Sequence, residues 1–344
     1  MKNKTKMQQQ KPSIINNMNL TVIITKDFEK MSETAGNILI PKMRANTIEQ
    51  AKKFNLILPT GNSPTGLYVR MVQRQREYDA NLVGSWNLDE YVGLPGKTSE
   101  ERRNHRKSYH TFMRTHLFDH LNPHFAEYYL PRGTDIEQSE LERALKEEEN
   151  YALTGTDKGK AIIIPDNCKD PYLRWIKDEI LDAYLKSIEL REGIDCAIVG
   201  VGGRGHMAFH ESGIPLELEM LLVNLDDNTI KNAVKDGYFK TYEEAPKYAV
   251  SLGAGGVFKY AKNIILMAYG ERKAEPVARS ILENVTSDIP ISGLQSFAQE
   301  EGKRVIYVLD KEAAAGLKGK DRELRKKCIR IIDLINKPYQ AIEF

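Results

Sequence analysis

Short apolar runs alternate along the chain with longer segments whose apolar residues recur at helical spacing. Four compact runs, at 20–25, 54–60, 262–270 and 303–310, predict buried strands. Strands separated by helical segments indicate an α/β fold, with a mainly parallel sheet flanked by helices in a single main domain. In such sheets, ligands bind at the carboxyl ends of the strands.

The same pattern predicts how the chain is divided. Residues 1–18 are rich in Lys, Gln and Asn and predict a disordered leader, whereas 19–310 predict the α/β domain. Within that domain, 154–175 mixes turn residues with one short apolar run and predicts an insertion, either a small hairpin or a flap. The basic segment 311–344 predicts a helical C-terminal extension.

Composition narrows the class of protein. Of 344 residues, 41% are apolar, and the formal net charge of +2 gives no reason to expect nucleic acid or a membrane as partner. No run of eighteen apolar residues predicts a membrane-spanning helix. The three cysteines form no CxxC pair, which argues against a zinc site or a disulfide framework and favours the cytoplasm.

The first candidate site is the loop Thr60–Gly66, which follows a predicted strand and precedes a predicted helix. Thr60, Gly61, Asn62 and Ser63 offer hydroxyls and small side chains beside backbone N–H groups at a helix start, which is typical of a phosphate site. An ordinary strand–helix turn has a similar composition. Lys273, beyond the predicted strand 262–270, would supply a cation for the same phosphate.

The second candidate is the acidic pair Asp89–Glu90 at the end of a predicted strand. Adjacent side chains on a strand point to opposite faces, so one carboxylate faces the ligand while the other faces the protein. A positioned carboxylate can move a proton on and off a carbon next to a carbonyl, which contributes roughly 10²–10⁴ in rate. A solvated acidic turn is the alternative that the pair alone leaves open.

The third candidate is the glycine-rich segment 200–213, which contains His206 and Glu211. Four glycines precede His206 within seven residues. Glycines let the backbone approach a ligand or another part of the chain closely, and His206 places a titratable imidazole beside that backbone. The glycine spacing does not match a dinucleotide-binding fingerprint.

Together these segments resemble glucosamine-6-phosphate deaminase, the amino-sugar branch of a wider family that includes 6-phosphogluconolactonase. The resemblance covers about residues 20–310 and rests on LPTGNSPTGLY, WNLDEYVGLP followed by SYHTFM, GVGGRGHMAFHE, SLGAGGVF, GERKAEPV and ISGLQSF. The second of these does not resemble the lactonase branch, so the deaminase branch is favoured.

The resemblance implies a Rossmann-like domain that converts a hexosamine 6-phosphate into a ketose 6-phosphate and ammonia, with no metal or organic cofactor. It implies that Asp89 is the base that moves the proton between C2 and C1, with Glu90 beside it. His206 would assist ring opening and Glu211 would be its acidic partner. Family members are often oligomeric, which leaves a homo-oligomer open.

Two departures from the family pattern alter this expectation. Arg204 stands where the family has an aspartate, two residues before the histidine, and His210 stands in place of an asparagine. Arg204 is expected either to bind an anionic group or to pair with Glu211 or Glu90. Lys235 is a candidate replacement for an arginine that usually holds the phosphate. A different amino sugar, isomerisation without ammonia release, and a sugar-phosphate-binding regulator without catalysis are the alternatives that follow.

Overall fold

The computed structural model describes residues 19–235 and 237–339, and the leader predicted for 1–18 lies outside these ranges. Within them the chain forms two sheets. The strands are β1 (Leu20–Thr25), β2 (Phe54–Leu58), β3 (Val83–Asn87), β4 (Asp89–Val92), β5 (Glu127–Tyr129), β6 (Ala152–Thr154), β7 (Lys160–Ile163), β8 (Ile194–Val199), β9 (Met220–Asn224), β10 (Tyr248–Leu252), β11 (Ala261–Ala268), β12 (Arg304–Asp310) and β13 (Arg330–Asp333).

Helices connect most of these strands, and none in the described ranges has the length and apolar character to cross a bilayer. Wider π-type turns follow two of them, at Ala45–Glu49 and Ile176–Asp182. The α-helices are α1 (Phe28–Arg44), α2 (Thr65–Gln73), α3 (Ser99–Arg103), α4 (Tyr109–His116), α5 (Gln138–Ala144), α6 (Pro171–Trp175), α7 (Ala183–Glu189), α8 (Asp227–Lys235), α9 (Ala254–Tyr260), α10 (Ala274–Leu282), α11 (Leu294–Phe297) and α12 (Asp321–Lys326).

The larger sheet has eight strands in the order β13-β1-β12-β11-β8-β2-β3-β5, and all of its pairings are parallel. Both faces are covered. In β8, Ala197 and Val199 join a core with α7, α9 and α10, while Cys196 and Ile198 join a second core with α1, α2 and α4. The predicted α/β fold, with a mainly parallel sheet flanked by helices, is therefore confirmed.

A second, antiparallel sheet was not predicted from the sequence. Its five strands lie in the order β4-β10-β9-β7-β6. The chain passes from one sheet to the other at Leu88, between β3 and β4. The Leu88 N–H still donates to the Leu58 carbonyl at 3.2 Å, so the crossing point is fixed beside the end of β2.

The segment 154–175 is built into this second sheet rather than standing apart from the fold. Its first half forms the hairpin between β6 and β7, and β7 pairs with β9. Its second half leads into α6, where the Asp170 carboxylate caps the backbone N–H groups of Tyr172 and Leu173 at 2.9 Å.

The helical extension predicted for 311–344 is wrong over much of its described part. Helix α12 is short, Cys328 has a left-handed φ of 55°, and β13 then adds a parallel strand beside β1. Ile331 packs on one core of the large sheet and Ile332 on the other. This alternation of β-branched residues favours a strand more strongly than the flanking basic residues favour a helix.

Candidate active site

A cavity of about 890 Å³ lies where the carboxyl ends of β2, β8 and β11 meet β4 of the second sheet. Three loops that follow the parallel strands line it: 59–64, 200–206 and 269–273. The sequence placed a shared site at these strand ends, and the fold brings the three loops together there. The helix α8 closes a further side through Asn228, Lys231 and Asn232.

The loop predicted to hold phosphate lines the cavity through Thr60, Gly61, Asn62 and Ser63. It is braced internally, because the Thr65 hydroxyl donates to the Asn62 carbonyl at 2.9 Å. Helix α2 begins directly after it without a side-chain cap. Backbone N–H groups of an uncapped first turn and nearby hydroxyls form the kind of site that binds an anion.

Besides Arg204 in the loop after β8, cations line the cavity from two further elements. Lys273 and its neighbour Arg272 line it from the loop after β11, as expected for Lys273. Lys235 is exposed at the last residue of α8 and does not line the cavity. Lys231, one helical turn earlier, does. Lys231 was not among the residues predicted from the sequence, although its spacing from Asn228 places both residues on one face of a helix.

Asp89 is the buried carboxylate of the cavity wall. It lies at the first residue of β4, is 5% exposed and lines the cavity. No residue in the described ranges donates a hydrogen bond to its carboxylate. Burial, and then the charge of Glu90, raise the pKa of Asp89 well above its usual range. A carboxylate of raised pKa, left without a fixed partner, is suited to accept a proton from a ligand.

Glu90 points to the opposite side of the strand, as the alternation of side chains requires, and does not line the cavity. Its carboxylate accepts backbone hydrogen bonds from Tyr91 at 2.9 Å and from Tyr109 and His110, both at 3.0 Å. Burial raises the pKa of Glu90 to about 7, while these three hydrogen bonds oppose the shift. Glu90 therefore fixes the start of α4 against β4.

By holding the start of α4, Glu90 also positions one of three aromatic rings that form a wall of the cavity. These rings were not predicted from the sequence. Tyr109, held by Glu90, lies 5.0 Å from Tyr91 and 5.9 Å from Phe209 between ring centroids, and it stacks on Phe209. All three rings line the cavity. Aromatic faces next to polar groups are a common lining for a sugar site.

His206 lies at the cavity inside the glycine-rich loop. Its Nδ1 is 2.8 Å from the Ala208 carbonyl oxygen, which can only accept, so Nδ1 carries a proton and Nε2 of the neutral ring is an acceptor. The Gly202 N–H donates to the His206 carbonyl at 2.8 Å. A Cβ at position 202 would overlap Nε2, so the ring occupies this place only because residue 202 is glycine.

Glu211 and His210 lie behind His206 and do not line the cavity. Glu211 is buried and accepts from the Asp226 N–H at 3.3 Å. Burial raises its pKa, and the charge of His206 opposes that shift. His210 is fully buried, with Nδ1 accepting from the Ala254 N–H at 3.0 Å and Nε2 donating to the Ile214 carbonyl at 3.1 Å. Burial lowers the pKa of His210 to about 4, so it is a neutral structural histidine.

Arg204 lines the cavity, but its partners differ from those expected. Its guanidinium pairs with Asp226 at 3.2 Å and with Asp157 of the β6–β7 turn. The expected pairing with Glu211 or Glu90 is therefore wrong. The sequence could not identify Asp157, which is 47 residues away and in a turn that the fold alone brings to the cavity.

Comparisons with known proteins agree with this architecture. The chain is 30% identical to the glucosamine-6-phosphate deaminase of Clostridium perfringens over 301 residues, covering 87% of this chain and 100% of that protein. It is 31% identical to the enzyme of the same name from Thermoanaerobacter pseudethanolicus over 306 residues, covering 88% and 97%. No protein-family model matches.

Solved structures show the same fold. A monomeric glucosamine-6-phosphate deaminase aligns with a TM-score of 0.62 at 22% identity, over 86% of this chain and 100% of that one. The 6-phosphogluconolactonase of Leishmania guyanensis aligns with a TM-score of 0.56 at 16% identity, over 87% and 98%. The fold is thus that of the sugar-phosphate deaminases and lactonases. On its sequence, the chain belongs to the glucosamine-6-phosphate deaminase family.

Proposed function

We propose that the protein converts a hexosamine 6-phosphate of the glucosamine 6-phosphate type, with water, into the ketose 6-phosphate and ammonia. The observation that carries this proposal is Asp89, a buried carboxylate that faces a cavity and accepts no hydrogen bond from the described residues. Its raised pKa makes it a stronger base than an exposed aspartate. In the proposed reaction, Asp89 takes the proton from C2 and returns it to C1.

The remaining residues have supporting roles in the proposal. Thr60, Ser63 and the backbone of their loop bind the phosphate, with Lys273 and Lys231 supplying positive charge. Nε2 of His206 takes the anomeric hydroxyl proton and delivers it to the ring oxygen as the C1–O bond of the ring breaks. The Glu90 carboxylate is committed to α4, so Glu90 positions Asp89 through the strand they share, and its charge helps to raise the pKa of Asp89.

Ammonia release from glucosamine 6-phosphate and galactosamine 6-phosphate tests the proposal directly. Asp89→Asn should lower turnover by roughly 10²–10⁴ while a sugar phosphate still raises the melting temperature, because the phosphate loop is unchanged. Wild-type activity retained in Asp89→Asn would exclude Asp89 as the base. Hydrolysis of 6-phosphogluconolactone in place of ammonia release would instead identify a lactonase.

A second function is favoured by Arg204. It stands where the family pattern has an acidic residue near His206, and it forms ion pairs with Asp157 and Asp226. A regulator that binds a sugar phosphate without converting it would show ligand-dependent thermal stabilisation and no product from either amino sugar. An isomerase would form the ketosamine phosphate and release no ammonia. Product analysis by mass spectrometry separates both from the deaminase.

A further inference from the structure

A cluster of three carboxyl groups and one guanidinium lies in the part of the fold that holds the His206 loop, with Arg204 at the cavity. Asp226 and Glu211 are 2% and 3% exposed, and the Asp226 N–H joins them by donating to Glu211 Oε1. The Asp226 carboxylate accepts from the Asn228 N–H at 2.6 Å through Oδ1 and pairs with Arg204 through Oδ2. Two buried carboxyls this close repel each other when both are ionised.

Arg204 contacts the Asp226 member of this pair, and the charge of Glu211 acts on its guanidinium without a direct contact. On the cavity side, a positive charge on His206 favours the Glu211 carboxylate. An arginine keeps its charge at every pH relevant to a protein, whereas a histidine does not. The fixed charge in the cluster is therefore that of Arg204.

The β6–β7 turn encloses the cluster from the other side. Gly159 packs so closely on Glu211 that a Cβ there would lie 2.7 Å from the Glu211 side chain, and the Thr156 N–H donates to the Gly213 carbonyl at 3.0 Å. Asp157 of the same turn pairs with Arg204. The turn thus excludes water from Glu211, and Arg204 ties the turn to the loop that carries His206.

We propose that Arg204 is a positioning residue for the reaction, whose fixed charge balances Asp226 and Glu211 so that a carboxylate faces the His206 imidazole. The inference rests on the proposed function, since His206 must gain a proton during ring opening. The Glu211 carboxylate then stabilises the imidazolium. In this arrangement Arg204 does not substitute for the family's aspartate as a relay member. It acts through Asp226, which its guanidinium contacts directly.

The test compares Arg204→Met with Lys158→Met, which removes an exposed cation from the same turn. The Glu211 carboxyl is followed by pH titration in protein labelled with ¹³C at glutamate side chains, and its signal is assigned by its loss in Glu211→Gln. A cation in contact with a carboxyl lowers its pKa by about 1–3 units; because Arg204 contacts Asp226 and not Glu211, its removal should raise the Glu211 pKa by about one unit, the lower end of that range. We expect that rise in Arg204→Met, a change below about 0.2 in Lys158→Met, and near-restoration in Arg204→Lys.

Kinetics supply the second readout. The ratio of kcat/KM in Arg204→Met to that in the wild type should fall at pH values below the shifted Glu211 midpoint, whereas Lys158→Met should keep the wild-type profile. An unmoved Glu211 midpoint in Arg204→Met overturns the inference, and so does a moved midpoint with that ratio constant across the pH range. If the wild type releases no ammonia, the proposed function fails, and the titration still decides whether Arg204 governs Glu211.

Discussion

The two halves of the cavity wall hold their acidic groups by different means. At the crossing from β3 to β4, Glu90 is fixed by three backbone N–H groups, and Asp89 is left facing the cavity. In the glycine-rich loop, Glu211 accepts one backbone hydrogen bond, from the Asp226 N–H, and the Asp226 carboxylate is held partly by the Asn228 N–H and partly by the Arg204 side chain. Backbone donors are present whatever the sequence, whereas a side-chain partner is lost by a single substitution. The second half is also where the chain departs from the family pattern, at Arg204.

The largest effect should come from removing the backbone-held carboxylate. Glu90→Ala leaves three buried N–H groups without an acceptor, each of which costs about 1–3 kcal/mol. We expect a loss of about 4 kcal/mol in the free energy of unfolding, measured by urea denaturation. Glu90→Gln keeps one acceptor oxygen and should lose less than half as much. If Glu90→Ala lowers the free energy of unfolding by less than about 1 kcal/mol, the three backbone hydrogen bonds to Glu90 do not stabilise this half of the cavity wall as proposed.

The two halves should also respond to pH with opposite signs. The pKa of Glu90 is raised from 4.5 to about 7, so its contribution to stability is present below pH 4.5 and is lost as the pH rises to 7. The pKa of His210 is lowered from 6.5 to about 4, so its contribution is present above pH 6.5 and is lost as the pH falls to 4. Each amounts to about 3 kcal/mol.

Unfolding free energies measured from pH 4 to pH 7 separate these contributions. Relative to the wild type, Glu90→Gln should become more stable with rising pH, and His210→Asn should become less stable with rising pH. The comparison uses slopes, so a constant loss of stability in either variant does not matter. Identical slopes in both variants would contradict the assignment of opposite protonation states.

The glycine loop should be sensitive at one position and tolerant at the next. Gly202→Ala places a Cβ on the Nε2 of His206 and should lower kcat about 30-fold by displacing the ring, which corresponds to about 2 kcal/mol. Gly203→Ala meets only Asn232, 3.8 Å away, and should have at least a tenfold smaller effect. Equal losses in ammonia release would mean that the place of the imidazole does not depend on Gly202.

The smallest effect on stability is expected from Asp157, the more exposed of the two acidic partners of Arg204. Asp157 is about one-third exposed, so its pairing with Arg204 is partly screened by water. Asp157→Asn should lower the free energy of unfolding by less than about 1 kcal/mol, because Arg204 retains Asp226. A loss of 3 kcal/mol in thermal or urea unfolding would place the main anchor of the loop in the β6–β7 turn instead.

The sequence was sufficient for β1, β2, β11 and β12 of the large sheet and for the loops at its strand ends, but not for its edge strands β5 and β13. Residues 20–25 form β1 as predicted, and the loops after β2, β8 and β11 line one cavity. It was not sufficient for the second sheet, because strands of three to five residues such as β4 and β6 carry too few positions for a periodic pattern. Likewise, no local signal joins Arg204 to Asp157, since only the fold brings them together.

The place of β1 in the large sheet has a consequence for how the chain folds during its synthesis. Leu20 pairs with Val305, and the other neighbour of β1 is β13, so among the described strands the earliest in the chain pairs only with the last two. At about 5–20 residues per second, β1 waits roughly 15–60 s for β12. Throughout that time Val22 and Ile23 lack the neighbouring strands that cover them in the final sheet. Helix α1, which packs on Ile23 and follows β1 directly in the chain, is the element that can cover this strand early.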